Sequence, residues 1–382
     1  MVPWKQFLLS SSWVANLIPT QIPFPSNTPT ANQCFSTAKT LGDIVACHRG
    51  YVVRTYTQET YDAAQPTDEQ RNAWSIAVSS ILNTDGNCTA VGDALPDPLK
   101  DIYNVFELTE SSGSFCVLAE QVAEGDKTYQ KGWGLMVVPS TRGAVSRHVH
   151  IAAPFPRFAL QTEEQSTVIF KGVGAKSLFI PGRQFRSYPQ QSLCILSTAT
   201  TTYYKTDPVH DKDELFFDTY QQIINWQNAN GGCPSASCAY VSLSGKGASS
   251  CKLDQVFISA GLSESTGWYT EHEDYPAKRI QSNLVDEFPF WKISLPSDSN
   301  CDLVATKNIV GRMINGVNAS DVCSEAASPE STLGQFVHIE QSMISRYKEF
   351  YSRWANAILK SFDPTCESGM VEDGATGLCV KK

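Results

Sequence analysis

The chain has 382 residues, 42% of them hydrophobic and 18% charged, with 24 glycines, 20 prolines and a formal net charge of −9. That length holds one large domain or two ordinary ones, and the apolar content is enough for a full core, which excludes a disordered chain. No run of Lys or Arg exceeds two residues, so the chain lacks the phosphate-neutralising face that a nucleic-acid partner requires.

Lys5 and the apolar stretch from Phe7 to Ile18 read as a secretory signal peptide over residues 1–18. The stretch is too short, and too interrupted by Ser10, Ser11, Ser12 and Asn16, to span a bilayer. Residues 19–33 carry Pro19, Pro23, Pro25 and Pro29 and read as an extended linker. One α/β domain is expected over residues 34–362, followed by a cysteine-containing tail over 363–382.

The twelve cysteines are spread along the chain without a Cys-x-x-Cys pair, which disfavours zinc-ribbon and thioredoxin-like sites. An even count at these spacings fits disulfides and an oxidising compartment. Cys233–Cys238 and Cys366–Cys379 would close short local loops, although connectivity cannot be fixed from sequence. The sequons at Asn87 and Asn318 offer two N-glycosylation acceptors. The protein is therefore expected to be secreted, with no membrane span.

Capping chemistry marks the helices. Thr67 and Gln70 form a capping-box pattern ahead of Trp74, Val78, Ile81 and Leu82. Thr162 and Gln165 repeat it, with Gly172 as the stop, and Asp211 and Glu214 offer a third start before Leu215. A stripe of Met343, Tyr347, Phe350, Tyr351, Trp354 and Ile358 predicts a long final helix from about Gln341 to Lys360. Apolar runs at Leu135–Val138, Arg147–Ala152, Ser177–Ile180, Ala239–Leu243, Gln255–Ile258 and Phe336–Ile339 predict strands. Strands alternating with helices imply an α/β fold with a central mixed sheet and helices on both faces, and ligand sites in such folds gather at the strand ends.

His-Glu-x-x-His and Gly-x-Ser-x-Gly are absent, and Gly245-Lys246-Gly247-Ala248-Ser249 is only a fragment of a phosphate-binding loop. Among the six histidines, His148 and His150 share one face of a predicted strand, as do His338 and Glu340 on another. Four nitrogen and oxygen groups would converge with zinc-like chemistry if those strands were neighbours. Otherwise His148 and His150 lie on a solvated face and His338 is a hydrogen-bonded core imidazole. In Asp207-Pro208-Val209-His210-Asp211, one carboxylate can cap the next helix while the other orients His210 as a general base or substrate clamp. Arg183 and Arg186 can bind a carboxylate or phosphate, or lie exposed on a loop. Glu271-His272-Glu273 reads as a solvated loop.

Several segments together resemble a family of secreted proteins from fungi and bacteria. They are Gly132-Trp133-Gly134, Arg147-His148-Val149-His150-Ile151 leading into Ala153-Pro154, Gly172-Val173-Gly174-Ala175-Lys176-Ser177-Leu178, and Thr206-Asp207-Pro208-Val209-His210. Further on come Ser244-Gly245-Lys246-Gly247-Ala248, Thr306-Lys307-Asn308-Ile309-Val310-Gly311-Arg312 and Phe336-Val337-His338-Ile339-Glu340-Gln341. The resemblance covers roughly residues 45 to 360 and adds Arg312 to the substrate-binding candidates. The family is distantly similar to zinc-dependent carboxypeptidases and N-formylglutamate amidohydrolases, in which a single metal polarises a carbonyl and generates hydroxide. The resemblance implies a Pro-His-Pro stretch followed by Asp, a second His beside a glycine, and a Glu near the C-terminal helix. Here the first reads Pro154-Phe155-Pro156-Arg157-Phe158-Ala159 and the second Leu243-Ser244-Gly245, while Glu340 is kept. Phe and Ala offer no lone pair, and a serine hydroxyl is a poor zinc ligand.

The expectation is a secreted glycoprotein with a hydrolase-like fold and a degraded metal site, acting in binding or an accessory role on a small molecule or peptide, without a cofactor. The alternative is an active secreted hydrolase of amide or ester bonds whose site has been relocated to Glu340, His210 and His150, with zinc if that reading holds.

Overall fold

The computed structural model describes residues 31–263, 267–271 and 274–382. The expected signal peptide, most of the linker, and His272 and Glu273 of the charged loop lie outside the described residues. The first helix, Ala31–Thr37, begins inside the stretch read as linker.

Nine strands form one mixed sheet: β1 (Tyr103–Glu110), β2 (Gly113–Glu120), β3 (Leu135–Pro139), β4 (Arg147–Ala152), β5 (Ala175–Ile180), β6 (Cys238–Gly245), β7 (Val256–Ser259), β8 (Ile293–Ser294) and β9 (Phe336–Gln341). Their order across the sheet is β1-β2-β3-β5-β4-β6-β9-β7-β8. The central strands β5, β4, β6 and β9 run parallel, β1, β2 and β3 on one side are antiparallel to their neighbours, and on the other side β7 is antiparallel to β9 and parallel to β8. The expected α/β architecture is thus present.

Both faces of the central strands are covered, as parallel sheets require. Val149, Ile151, Val241, Leu243, Val337 and Ile339 pack with Ile44, Phe170, Ile280, Trp354 and Ile358 of the helices on one face. Ala152, Tyr240 and Phe179 pack with Trp74, Ile81, Phe216 and Ile223 on the other. The helix Asp68–Leu82 begins at the expected capping box, with Thr67 accepting from Gln70 N and Gln70 reaching back to Thr67 N.

Three helix readings need correction. The helix Thr162–Val173 starts at Thr162 itself, whose hydroxyl donates to Ala159 O, and it ends at Gly174 rather than Gly172. Gly174 takes φ 60°, and a Cβ there would collide with Ser146, so a residue without a side chain is required. The helix Leu215–Ala229 has Glu214 at its N-cap without a side-chain bond, because that carboxylate is turned to Arg183. The long helix from Gln341 shrinks to Tyr351–Leu359. Gln341 instead ends a strand paired on both sides, to Gly245 and Val256, so sheet pairing overrides the helical periodicity, and Met343 and Tyr347 are exposed.

All twelve cysteines pair: Cys34–Cys47, Cys88–Cys116, Cys194–Cys323, Cys233–Cys238, Cys251–Cys301 and Cys366–Cys379. The tail folds back as a two-stranded ribbon, β10 (Met370–Glu372) and β11 (Cys379–Lys381). Arg147 clamps it by donating to Phe362 O, Gly377 O and Glu372. Among the described residues, no helix is long and apolar enough to cross a membrane.

Candidate ligand cleft

The loops after β4 and β5, the segment 302–308 after β8 and the C-terminal ends of β6 and β9 enclose a cleft with two lobes, one of about 470 Å3 and one of about 400 Å3. Phe155, Tyr203, His210 and Glu340 line both lobes. Parallel pairing of β6 with β9 places Ser244 beside Glu340 and Ser242 beside His338. Antiparallel pairing of β9 with β7 then places Ser259 on the other side of His338. Alternation along the strands turns all five side chains to one face.

His338 Nε2 lies 3.0 Å from Glu340 Oε1. On the next residues inward, His338 Nδ1, Ser242 Oγ and Ser259 Oγ are buried without a hydrogen-bond partner. Leaving such atoms unsatisfied costs about 1–3 kcal/mol each; of the three residues, His338 lines a lobe of the cleft, while the two serines lie beneath it. The opposite wall comes from the loop after β5. Its Asp207 Oδ2 lies 2.9 Å from His210 Nδ1, and the ring of Tyr203 rests 4.2 Å from the imidazole. Phe158 and Phe185 meet edge-to-face at the rim, with the Arg186 guanidinium 5.1 and 4.8 Å from their rings. Lys307 Nζ stands 5.3 Å from the centre of the Tyr203 ring.

Of the residues singled out from sequence, Glu340, His210, Asp207 and Arg186 come together here, and His338 lines the other lobe. The others go elsewhere. His150 is sealed in the core, its Nδ1 2.8 Å from Ser177 Oγ and its Nε2 3.0 Å from Gln227 Oε1. Burial pulls it down to about 3, so it is a neutral structural imidazole. His148 shares Gln227 with it, and β6 separates β4 from β9, so the four-group convergence does not form. Arg183 is wholly buried rather than on the cleft surface, with Nε 3.2 Å from Glu214 Oε2 and the guanidinium over the Tyr56 ring. The pair is close enough to attract but is not aligned for a hydrogen bond. Arg312 donates to Thr306 O and Val322 O, bolting the loop that forms one cleft wall. Lys246 closes its own turn onto Ser250 O and Cys251 O. Asn87 and Asn318 are exposed, as are Thr89 and Ser320 of their sequons.

Sequence reasoning missed Phe158, Phe185 and Tyr203. Phe158 and Phe185 stand in turn-rich segments just past strand ends, a signal that could have marked them, while Tyr203 lies deep in the long loop after β5.

The metal implied by the resemblance does not fit these residues. Phe155, Ser244 and Glu340 do meet in one cleft, but Phe155 fills its place with a ring packed edge-on against Phe185. Ala159, buried beside it, carries only a methyl. Among the described residues, three metal-type donors converge only at Cys251, Asp254 and Cys301, and those two sulfurs are joined to each other.

No protein-family model and no curated protein matches the chain. Among solved structures it is similar to a bacteriophage poly-gamma-glutamate hydrolase, at 10% identity and TM-score 0.30, over 56% of this chain and 85% of that one. It is also similar to a succinylglutamate desuccinalase from Vibrio parahaemolyticus, at 14% identity and TM-score 0.35, over 69% of this chain and 80% of that one. A third similarity is to a protein assigned as carboxypeptidase A from Shewanella denitrificans, at 10% and TM-score 0.30, over 68% of this chain and 76% of that one. The reading of the cleft rests on its own geometry.

Proposed function

We propose that this chain is a secreted glycoprotein whose cleft binds a small molecule or peptide in a binding or accessory role, without a hydrolytic metal. The observation that carries the reading is the cleft itself. It has an aromatic rim at Phe158, Phe185 and Tyr203 and polar groups at His210, His338 and Glu340, and of the four expected ligand positions, Phe155, Ala159, Ser244 and Glu340, only the last keeps a good metal-binding group. Apolar walls with a few converging polar groups are what small-ligand sites use. Secretion is supported by the six disulfides, which persist in oxidising surroundings. Glycosylation is supported by the exposed acceptors at Asn87 and Asn318.

A second reading is favoured by the Asp207–His210 contact in the same cleft as Glu340. An imidazole fixed through Nδ1 by a carboxylate can use Nε2 as a general base. It would take a proton from water as the oxygen adds to an amide or ester carbonyl, then return that proton to the departing amine or alcohol.

Elemental analysis, a binding screen of peptides and small polar molecules, and a peptide and ester hydrolysis panel separate the readings. Saturable binding with no zinc and no hydrolysis is expected. Hydrolysis that survives chelation and disappears in His210→Ala would establish the second reading. About one zinc per chain, lost in Glu340→Gln, would overturn both.

A further inference from the structure

On the other flank of the 155–160 loop, a hollow of about 410 Å3 is lined by Arg49, Arg54 and Arg157, with Gln184 beside them. Three arginines thus line one hollow on a chain whose net charge is −9. Each is held or presented differently. Arg49 closes the helix Leu41–Tyr51 and pairs with Glu164 at 2.5 Å. Arg157 sits in a left-handed backbone conformation at φ 61°, which is unfavourable for a residue with a side chain. Glu163 Oε1 holds it there by accepting from Arg157 N at 2.6 Å. Arg157 Nη1 donates to Arg49 O at 2.6 Å, which docks one arginine on the other's backbone. Arg54 is exposed.

Gathering like charges opposes itself electrostatically, and here Glu164 compensates only Arg49. Glu163 adds little negative charge at neutral pH, since burial pushes its carboxyl up to about 8. The planar forks of the remaining arginines match the paired oxygens of phosphate, sulfate or carboxylate.

We propose that Arg54 and Arg157, with Arg49 as a fixed third cation, form a binding pocket for an oxyanion. The pocket stands apart from the cleft and does not rest on the reading given to it. The two share a partition: Arg157 and Gln184 line the pocket, while Phe158, Phe185 and Arg186 line the cleft. An anionic group bound here therefore lies one loop-width from the cleft's contents. An oxyanion free in solution and one carried on a polyanionic chain share this chemistry, and the two sources are separable by experiment.

The test is calorimetric titration of the full chain with inorganic phosphate and, separately, with a sulfated oligosaccharide, each against chloride at matched ionic strength. Saturable binding of at least one is expected. It should weaken about tenfold or more in Arg54→Glu and in Arg157→Gln, while the melting temperature of Arg54→Glu, an exposed position, stays that of the parent. Tighter binding of the oligosaccharide than of phosphate assigns the polymer-borne source, and the reverse order assigns the free anion. Absence of saturable binding by both probes, or equal binding by the parent and both variants, overturns the proposal.

Discussion

Asp207 and His210 are joined across a single turn: Oδ2 of the carboxylate lies 2.9 Å from the imidazole Nδ1, while Oδ1 accepts from Val209 N at 3.2 Å. One buried carboxylate therefore fixes both the shape of the turn and the orientation of the ring that faces the cleft. Asp207→Ala removes both contacts and leaves a buried N–H unpaired, at a cost of about 1–3 kcal/mol. Urea unfolding should show that loss, and binding of cleft ligands should weaken in parallel. Unchanged stability together with unchanged binding would mean that the turn holds itself.

The Cys194–Cys323 disulfide spans 129 residues, the longest of the six. It ties the loop that carries Tyr203 and His210 to the segment beyond the helix Ile309–Ile314. Closing so long a loop restricts the unfolded chain strongly, so Cys194→Ser with Cys323→Ser should cost about 4–5 kcal/mol. The loss should be read by equilibrium denaturation under non-reducing conditions. The same change made at Cys233 and Cys238, only 5 residues apart, should cost less, and a larger loss there would contradict the loop-length argument.

Buried titratable groups set a stability optimum. Burial raises Glu163 to about 8, and Glu120 and Glu214 to about 7. A carboxyl with a raised value stabilises the fold fully below its ordinary value, and that stability is lost as pH rises through the raised one. Burial lowers His48 to about 4 and His150 to about 3. Their contribution is lost as pH falls below the ordinary imidazole value of 6.5. Lys176, drawn down to about 8 by burial, brings an opposing trend above that pH. Between pH 8 and 6.5 the carboxyls act without that opposition, so stability should rise on acidification and then level or fall. Urea midpoints across this window check the sign. Glu163→Gln should flatten the upper limb, and a parent midpoint that climbs from pH 6.5 to 8 refutes the assignment.

The central parallel strands were legible because each is a short apolar run bounded by turn residues, and the helix at Thr67 because its cap is local. The β1–β2 hairpin was not read, since Glu107 and Asn104 interrupt its apolar pattern and its pairing is visible only in register. The final helix was overextended because Met343 and Tyr347 continue a helical spacing that the pairing of β9 overrides. In the site, Asp207 and His210 could be found because they lie three residues apart in one loop. His150 and Arg183 were misplaced because a polar residue beside a strand end reads the same whether its partner is solvent, Gln227 or Glu214. That distinction depends on strand order and helix packing, which local spacing does not encode.

If Phe155 and Ser244 occupy positions where ligands are missing, restoring donors there should restore metal affinity. Both residues line the cleft with Glu340, and neither lies at a strand pairing that a histidine would break: Phe155 is past the end of β4, and Ser244 contributes only its backbone to the β6–β9 ladder. Phe155→His with Ser244→His would add two imidazoles to one carboxylate, the donor set of a three-ligand zinc site. Some stability will be lost, because Ser244 is almost fully buried and the new ring must be accommodated. The expected result is zinc uptake near one equivalent per chain by the double variant, measured by elemental analysis after dialysis, reduced in each single variant and abolished when Glu340→Gln is added. Zinc content equal to that of the parent in a folded double variant would show that these three positions do not face a common point, and that the cleft never corresponded to a metal centre.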